Sequence, residues 1–250
     1  MVAGYVIIRE AHLSAAAGIR KRTNTMAENK PKIIELKEKI IDDNDADAEV
    51  LRDELRGSDT YYVNIMSSPG SGKTTTLLRT AQMLKDDFRI GILEADIDSD
   101  VDAKTMLDAG IDSVQLHTGG MCHLSADMSR QALAEIGTDD HDLVFLENVG
   151  NLVCPAEFDT GAQTKVVILS VPEGDDKPLK YPLMFTVADV VLINKIDAME
   201  VFDFDMNRVV ENIHGCKAGI PVFPVSAETG EGFEPWIEWM RNTVNEWRAK

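Results

Sequence analysis

The 250-residue chain has only three cysteines. So small and odd a number does not make a disulfide framework, and the thiols read as reduced, either buried or metal-bound. Long apolar runs are missing too: none approaches the ~18 residues of a transmembrane helix. Val2 to Ile8 is apolar but is broken by Arg9-Glu10, so no secretion signal is expected. Basic residues are scarce, with 25 Lys and Arg against 43 Asp and Glu, for a formal charge of −18. Such a surface repels phosphate backbones and anionic lipid, which argues against nucleic acid or membrane as the main partner. It suits a cytoplasmic protein in a salt-tolerant or basic-partner setting. Internal repeats and low-complexity segments are absent as well. Length and a hydrophobic content of 44% allow one α/β domain plus an extension.

The chain is organised around residues 61–76. An apolar run, Tyr61 to Met66, reads as a buried strand. Ser67 to Gly72 form a glycine-containing turn, and Lys73-Thr74 open a helix through Leu77, Leu78 and Met83. Strand, glycine loop and helix in that order are the context of a phosphate-binding P-loop. Gly70 and Gly72 let the backbone of Ser68, Pro69, Ser71 and their neighbours curl around a β-phosphate at a helix N-terminus, with N–H groups of the residues other than Pro69 as donors. Lys73 reaches the β- and γ-phosphates, and the Thr74 hydroxyl, with Thr75 beside it, suits Mg²⁺. One departure stands out: Ser67 occupies the position of the first glycine in Gly-x4-Gly-Lys-Ser/Thr, where it is expected to end the strand rather than hold phosphate.

Three segments are expected: residues 1–30, disordered or a mis-assigned start with Met26 as the initiator; 31–57, a helical extension broken at Asp42–Asp45 and packed outside the main domain; and 58–250, a P-loop domain. Within the last, strands are expected at Phe88–Glu94, Ser113–His117, Leu143–Glu147, Lys165–Val171, Val190–Asn194 and Val222–Val225. Helices are expected at Asp102–Ala109 (closed by Gly110), Ser125–Ile136 with Ser125 as N-cap, Asp205–Ile213 and Glu234–Arg248. Apolar strands alternating with amphipathic helices predict a doubly wound, mostly parallel sheet with ligands at the strand C-termini.

Asn194-Lys195-Ile196-Asp197 follows such a strand. A carboxylate at Asp197 accepts two hydrogen bonds from the ring N1–H and exocyclic amine of guanine, a donor pair adenine does not offer. Lys195 would lie over the ring and Asn194 would tie the loop down. Ser226-Ala227-Glu228 resembles the Ser-Ala loop of GTPases, whose backbone contacts the guanine oxygen. Acids at strand tips are candidates for Mg²⁺ and the attacking water: Asp96 or Asp102, with Glu147 in a Walker-B-like role. Asp98 and Asp100 read as solvated. Cys122-His123 and Cys154 sit in loops that emerge at strand C-termini, and two thiolates with one imidazole suit Zn²⁺ or Ni²⁺. Three ligands leave a position open to water or a partner chain; a pair of inert cysteines is the alternative. Cys216 reads as packing, and His117, His141 and His214 have no visible partners.

The P-loop, Cys122-His123-Leu124, the run Glu147-Asn148-Val149-Gly150-Asn151-Leu152-Val153-Cys154-Pro155, the run Glu173–Pro182 and Asn194–Asp197 together closely resemble the HypB family, the GTPases of nickel incorporation into nickel–iron hydrogenase. The likeness covers roughly residues 33–245. It implies slow, Mg²⁺-dependent hydrolysis of GTP to GDP and a face-to-face, GTP-dependent homodimer. A nickel or zinc site of Cys122, His123 and Cys154 at the dimer interface is implied as well. So are two partners, a nickel/zinc accessory maturation protein and the hydrogenase large-subunit precursor. Lys177 and Lys180 become candidates to reach a partner's nucleotide. Two departures matter: residues 1–57 hold no cysteine and only His12, so no N-terminal nickel store is expected, and Ala95 stands where the switch region usually has glycine. The rivals are a urease-type nickel GTPase, whose Cys-Pro-His motif is absent, a small-molecule P-loop kinase, and a binding protein with a structural zinc.

Overall fold

The computed structural model describes residues 32–35, 44–96 and 106–250, Lys32–Glu35 and Asp96 as backbone only. Eight strands form one sheet in the order β1-β4-β3-β5-β2-β6-β7-β8, and all seven pairings are parallel. The strands are β1 Lys32–Glu35, β2 Tyr61–Ser67, β3 Ile90–Asp96, β4 Asp112–His117, β5 Leu143–Glu147, β6 Thr164–Ser170, β7 Val190–Asn194 and β8 Val222–Pro224. The longer helices are α1 Asn44–Ser58, α2 Lys73–Leu84, α3 Ala126–Ile136, α7 Met206–Cys216 and α8 Phe233–Arg248. Three short ones, α4 Cys154–Glu157, α5 Lys177–Lys180 and α6 Pro182–Val187, are new relative to the sequence reading.

Residues alternate between two faces along each central strand, and both faces are covered, as a parallel sheet requires. Tyr61, Val63 and Ile65 pack with Ile92, Phe145 and Ile168 against Leu77 of α2 and Trp236 of α8. On the opposite face Tyr62, Leu93 and Val144 meet Leu51 of α1 and Met128 of α3. Met66, Val167 and Ile193 on that face meet Phe185 of α6 and Ile213 of α7. The connections from β2 run outward through β3 and β4, whereas the chain after β5 crosses to β6 on the other side of β2. The reversal places the loop after β2 at the topological switch point, where doubly wound folds bind ligands.

The other expected strands and helices of residues 61–250 are present, with ends shifted by at most three residues, whereas the helix expected at Asp102–Ala109 lies largely outside the described residues, which show only its last turn, 106–108. Ser125 caps α3, its hydroxyl accepting from Met128 N at 3.3 Å, and Gly110 takes φ 77° where the preceding turn closes. One expectation is corrected: the helical reading from Pro31 fails at its start. Lys32–Glu35 pair with Val114–His117 as an edge strand, because an open sheet edge supplies backbone partners that local periodicity does not register. The helix expected after Asp42–Asp45 is α1, beginning at Asn44. Residues 1–31, 36–43 and 97–105, with Met26 and Asp102, lie outside the described residues.

Candidate nucleotide site and its neighbouring thiols

Gly70 and Gly72 take φ 76° and 92°, turning the loop after β2 back onto the start of α2. A Cβ on Gly72 would lie 2.5 Å from Asn194 Nδ2, so glycine is required there by conformation and by space. No side chain caps α2, which leaves its first N–H groups to the cavity in front of them. That cavity, of about 390 Å³, is walled by Gly70, Lys73, Thr74 and Thr75 of the loop and by Glu94, Ala95 and Glu147–Gly150 opposite. Ser67 is buried and does more than end a strand. Its hydroxyl accepts from Ser71 Oγ at 2.6 Å and from Lys73 Nζ at 3.1 Å, so the serine in the first-glycine position helps aim the lysine.

Thr74 Oγ1 donates to Glu147 Oε1 at 2.9 Å. Hydroxyl and carboxylate thus face one point at the cavity rim, a hard-oxygen donor set that fits Mg²⁺. Glu147 and Glu94 are register partners on adjacent strands, and both are buried. Glu94 therefore lines the same wall, a residue the sequence reading did not single out. Asp96 ends β3 opposite His117.

A second cavity of about 250 Å³ shares Gly72 and Thr75 with the first and is lined by Asn194, Lys195, Asp197, Ala227 and Glu228. Asn194 bridges two loops: Nδ2 donates to Ser71 O at 2.9 Å and Oδ1 accepts from Ala227 N at 3.0 Å. Lys195, in the left-handed region at φ 64°, donates to Gly70 O at 2.6 Å. Ser226 Oγ donates to Asp197 Oδ1 at 2.5 Å, orienting the carboxylate. Arg79 of α2 holds the same loop from behind, its Nε donating to Ala227 O at 2.8 Å and an Nη to Glu228 O at 3.1 Å. The Asn194–Asp197 and Ser226–Glu228 loops and the loop after β2 are therefore one connected body. Ser68 and Lys180 do not wall either cavity. Lys180 pairs with Asp176 at 2.6 Å on an exposed helix, and Lys177 lies over the Tyr181 ring at 5.3 Å.

The structure accounts for part of Glu173–Pro182 without a ligand. Glu173 accepts from Ser170 N and Oγ as a cap. Buried Asp175 accepts from Arg208, whose guanidinium holds the carboxyl below its ordinary range.

Loops from β4 and β5 meet beside the first cavity. Cys122 Sγ is 2.8 Å from Cys154 Sγ, and the Cys122 thiol is pushed up chiefly by its hydrogen bond to Cys154. His123 Nδ1 lies 3.7 Å from Cys122 Sγ, with its ring stacked on Phe158 at 3.6 Å. Two adjacent thiols and one imidazole are a soft donor set suited to nickel or zinc. Among the described residues of one chain, however, no group of three or more His, Cys, Asp and Glu is placed to hold a metal ion. Cys216 donates weakly to Pro178 O and is half-buried, as packing requires. His141 Nδ1 donates to Gly137 O at 2.8 Å and His214 Nε2 to Ile220 O at 3.1 Å, partners the sequence did not reveal.

The thiols are wired to the nucleotide wall. A Cβ on Gly150 would lie 3.0 Å from Pro69 Cγ and 3.1 Å from Pro69 Cα, so the loop after Glu147 rests on the P-loop itself. The next residue, Asn151, reaches Cys122 O at 3.5 Å and accepts from Val153 N at 2.8 Å, just before Cys154.

A family model described as CobW/HypB/UreG, nucleotide-binding domain, matches residues 61–224. The hydrogenase/urease maturation factor HypB of Helicobacter hepaticus is 42% identical over 235 residues, covering 91% of this chain and 95% of that protein. The chain belongs to the HypB family. A HypB structure from Helicobacter pylori in complex with nickel superposes with a TM-score of 0.76 at 39% identity, covering 81% of this chain and 95% of that one. The HypB structure from Archaeoglobus fulgidus gives 0.76 at 37% identity, with 82% and 100% covered. A HypB-type P-loop domain is thus the frame for both cavities. Among the described residues no helix is long and apolar enough to cross a membrane.

Proposed function

We propose that this chain is a Mg²⁺-dependent GTPase that binds nickel and delivers it, in a nucleotide-dependent way, during maturation of a nickel enzyme. Asp197 reads guanine. The P-loop amides and Lys73 hold the β- and γ-phosphates, and Thr74 with Glu147 holds Mg²⁺, which would neutralise phosphate charge. Glu147 and Glu94, with Asp96 or Asp102, orient the attacking water. Hydrolysis is slow, on the order of 10⁻⁴–10⁻² s⁻¹ for sites of this kind without a supplied arginine. Nickel is cargo, taken by Cys122, His123 and Cys154, with a second copy of the chain completing the ligand set in a GTP-dependent dimer. Lys177 and Lys180 are the residues expected to reach that second copy.

The observation that carries this reading is the contact of Gly150 with Pro69, continued by Asn151 to the Cys122 carbonyl. A γ-phosphate that moves the Pro69 side of the loop also moves the thiols, so nucleotide state biases metal affinity, and linkage requires the reverse. The HypB relatives are named as hydrogenase maturation factors, and a hydrogenase large-subunit precursor is the expected recipient, with a nickel/zinc accessory protein as donor. The H. hepaticus relative is also named for urease, which makes a urease the second reading of the target. Cytoplasmic action is part of the same reading.

The test is a nickel titration of the GDP form and of a non-hydrolysable GTP form, followed by thiolate-to-nickel absorption and by solution mass. Binding that needs Cys122 and Cys154, promotes dimers and differs between the two nucleotides is the expected result. Binding that survives Cys122→Ala and Cys154→Ala, or ignores nucleotide, leaves a GTPase without metal coupling.

A further inference from the structure

Helix α1 lies outside the segment matched by the family model, yet it touches both thiol-bearing loops. Asn44, at its first turn, makes two side-chain hydrogen bonds in opposite senses. Its Oδ1 accepts from Ala126 N at 3.0 Å, and its Nδ2 donates to Asp159 O at 2.9 Å. Ala126 opens α3, three residues after His123, so this N–H is one of the amides a helix start leaves without an internal partner. Ser125 satisfies Met128 N, and Asn44 satisfies Ala126 N. Asp159 follows Phe158, the ring on which His123 stacks, and closes the loop that begins at Cys154. One amide thus joins the segment after Cys122-His123 to the segment after Cys154.

The rest of α1 makes the clamp stiff. Arg52 donates to Asp159 Oδ2 at 2.6 Å and to Ala162 O at 3.2 Å. Arg130 of α3 returns the contact, donating to Glu54 Oε2 at 2.8 Å and to Asp47 O at 3.2 Å. Leu51 and Leu55 are buried beneath.

We infer that Asn44 is a positioning residue that fixes the Cys122-His123 loop against the Cys154 loop and thereby sets the geometry in which the two thiols are presented. The consequence for nickel rests on the metal reading proposed above; the consequence for thiol proximity does not. Asparagine suits the role because one side chain supplies both an acceptor and a donor.

The experiment uses the full chain in its GDP form and two readouts. In the first, diamide takes two electrons and two protons from the Cys122 and Cys154 thiols, forming the disulfide and the reduced hydrazine; the rate is followed by thiol counting and by mass. Asn44→Ala should slow it about three- to tenfold, the effect of one or two lost hydrogen bonds. In the second, nickel affinity and the thiolate-to-nickel band are measured, and Asn44→Ala should weaken binding about tenfold, as loss of an outer-shell support does, and move the band. Asn44→Asp keeps the acceptor and loses the donor, so it should fall between, and it carries the test if Asn44→Ala does not fold. Asp53→Asn, at an exposed position farther along α1, should leave both readouts unchanged. A slowed disulfide in a variant series whose nickel binding ignores the cysteines supports the positioning role and discards the metal reading. Wild-type disulfide rates in both Asn44 variants, with nickel still dependent on Cys122, overturn the positioning role and leave the metal reading intact.

Discussion

Thr74 Oγ1 and Glu147 Oε1, from the first turn of α2 and the tip of β5, are hydrogen-bonded at 2.9 Å. The hydroxyl proposed to hold Mg²⁺ and the acid proposed for the Walker-B-like role therefore share one corner of the cavity. Glu147→Gln keeps the shape and removes the charge. Mg²⁺-dependent hydrolysis should fall by about 10²-fold, the scale on which one preorganised charge acts on a transition state. GDP affinity measured in chelator should change little. Single-turnover hydrolysis beside a Mg²⁺-free binding assay checks both halves.

On the proposed reading Asp197, held by Ser226, sets which base is accepted. Asp197→Asn exchanges an acceptor for a donor, so guanine loses its partner and xanthine, with a carbonyl at that position, gains one. GTP affinity should drop by about three orders of magnitude, since a site built for a hydrogen bond rejects the mismatch strongly. Competition between GDP and XDP on the variant shows the inversion or its absence.

Gly150 has no room to grow. An added methyl would press on the Pro69 backbone, and overpacking of this kind costs about 1–3 kcal/mol. Gly150→Ala should speed GDP release and reduce the difference in nickel affinity between nucleotide states. Stopped-flow release of a fluorescent GDP measures the first effect. An unchanged release rate would mean that the loop yields without disturbing the P-loop.

Stability should respond to acid through Asp142, which accepts from Arg89 Nη2 at 2.8 Å and Nε at 3.1 Å. The Arg89 hydrogen bonds, opposed by burial, hold its carboxyl at about 2 against an ordinary 3.8. Because the folded value is depressed, the contribution is complete above the ordinary value and is lost as pH falls from there toward about 2. Asp142→Asn should therefore lower Tm most near neutral pH, and the two curves should converge at the acid end. Thermal melts of both proteins across that range decide it.

Much of the site was legible because its chemistry lies in contiguous runs that follow strands. Gly70 to Thr75, Asn194 to Asp197 and Ser226 to Glu228 each need only one local turn to become functional. The rest depends on pairings no local pattern encodes. Glu94 becomes a wall of the phosphate cavity because the β3–β5 register sets it beside Glu147. Arg79 and Ala227 stand 148 residues apart, and Asn44 and Ala126 stand 82 apart. Lys32–Glu35 form a strand only because β4 offers an edge. Even Ser67, a departure from the P-loop pattern on paper, found its use only when Ser71 and Lys73 folded back onto it.

Asn194 links the loop after β2 to the Ser226–Glu228 loop, and Arg79 ties the latter to α2. The two cavities are thus held in a jaw of fixed opening, which would grip the two ends of a nucleotide. On the proposed reading, such a jaw would measure length and would not flex when the terminal phosphate is lost. The strain of that loss would then fall on the opposite lip, where Gly150 leans on Pro69, with the thiols at the end of that lever.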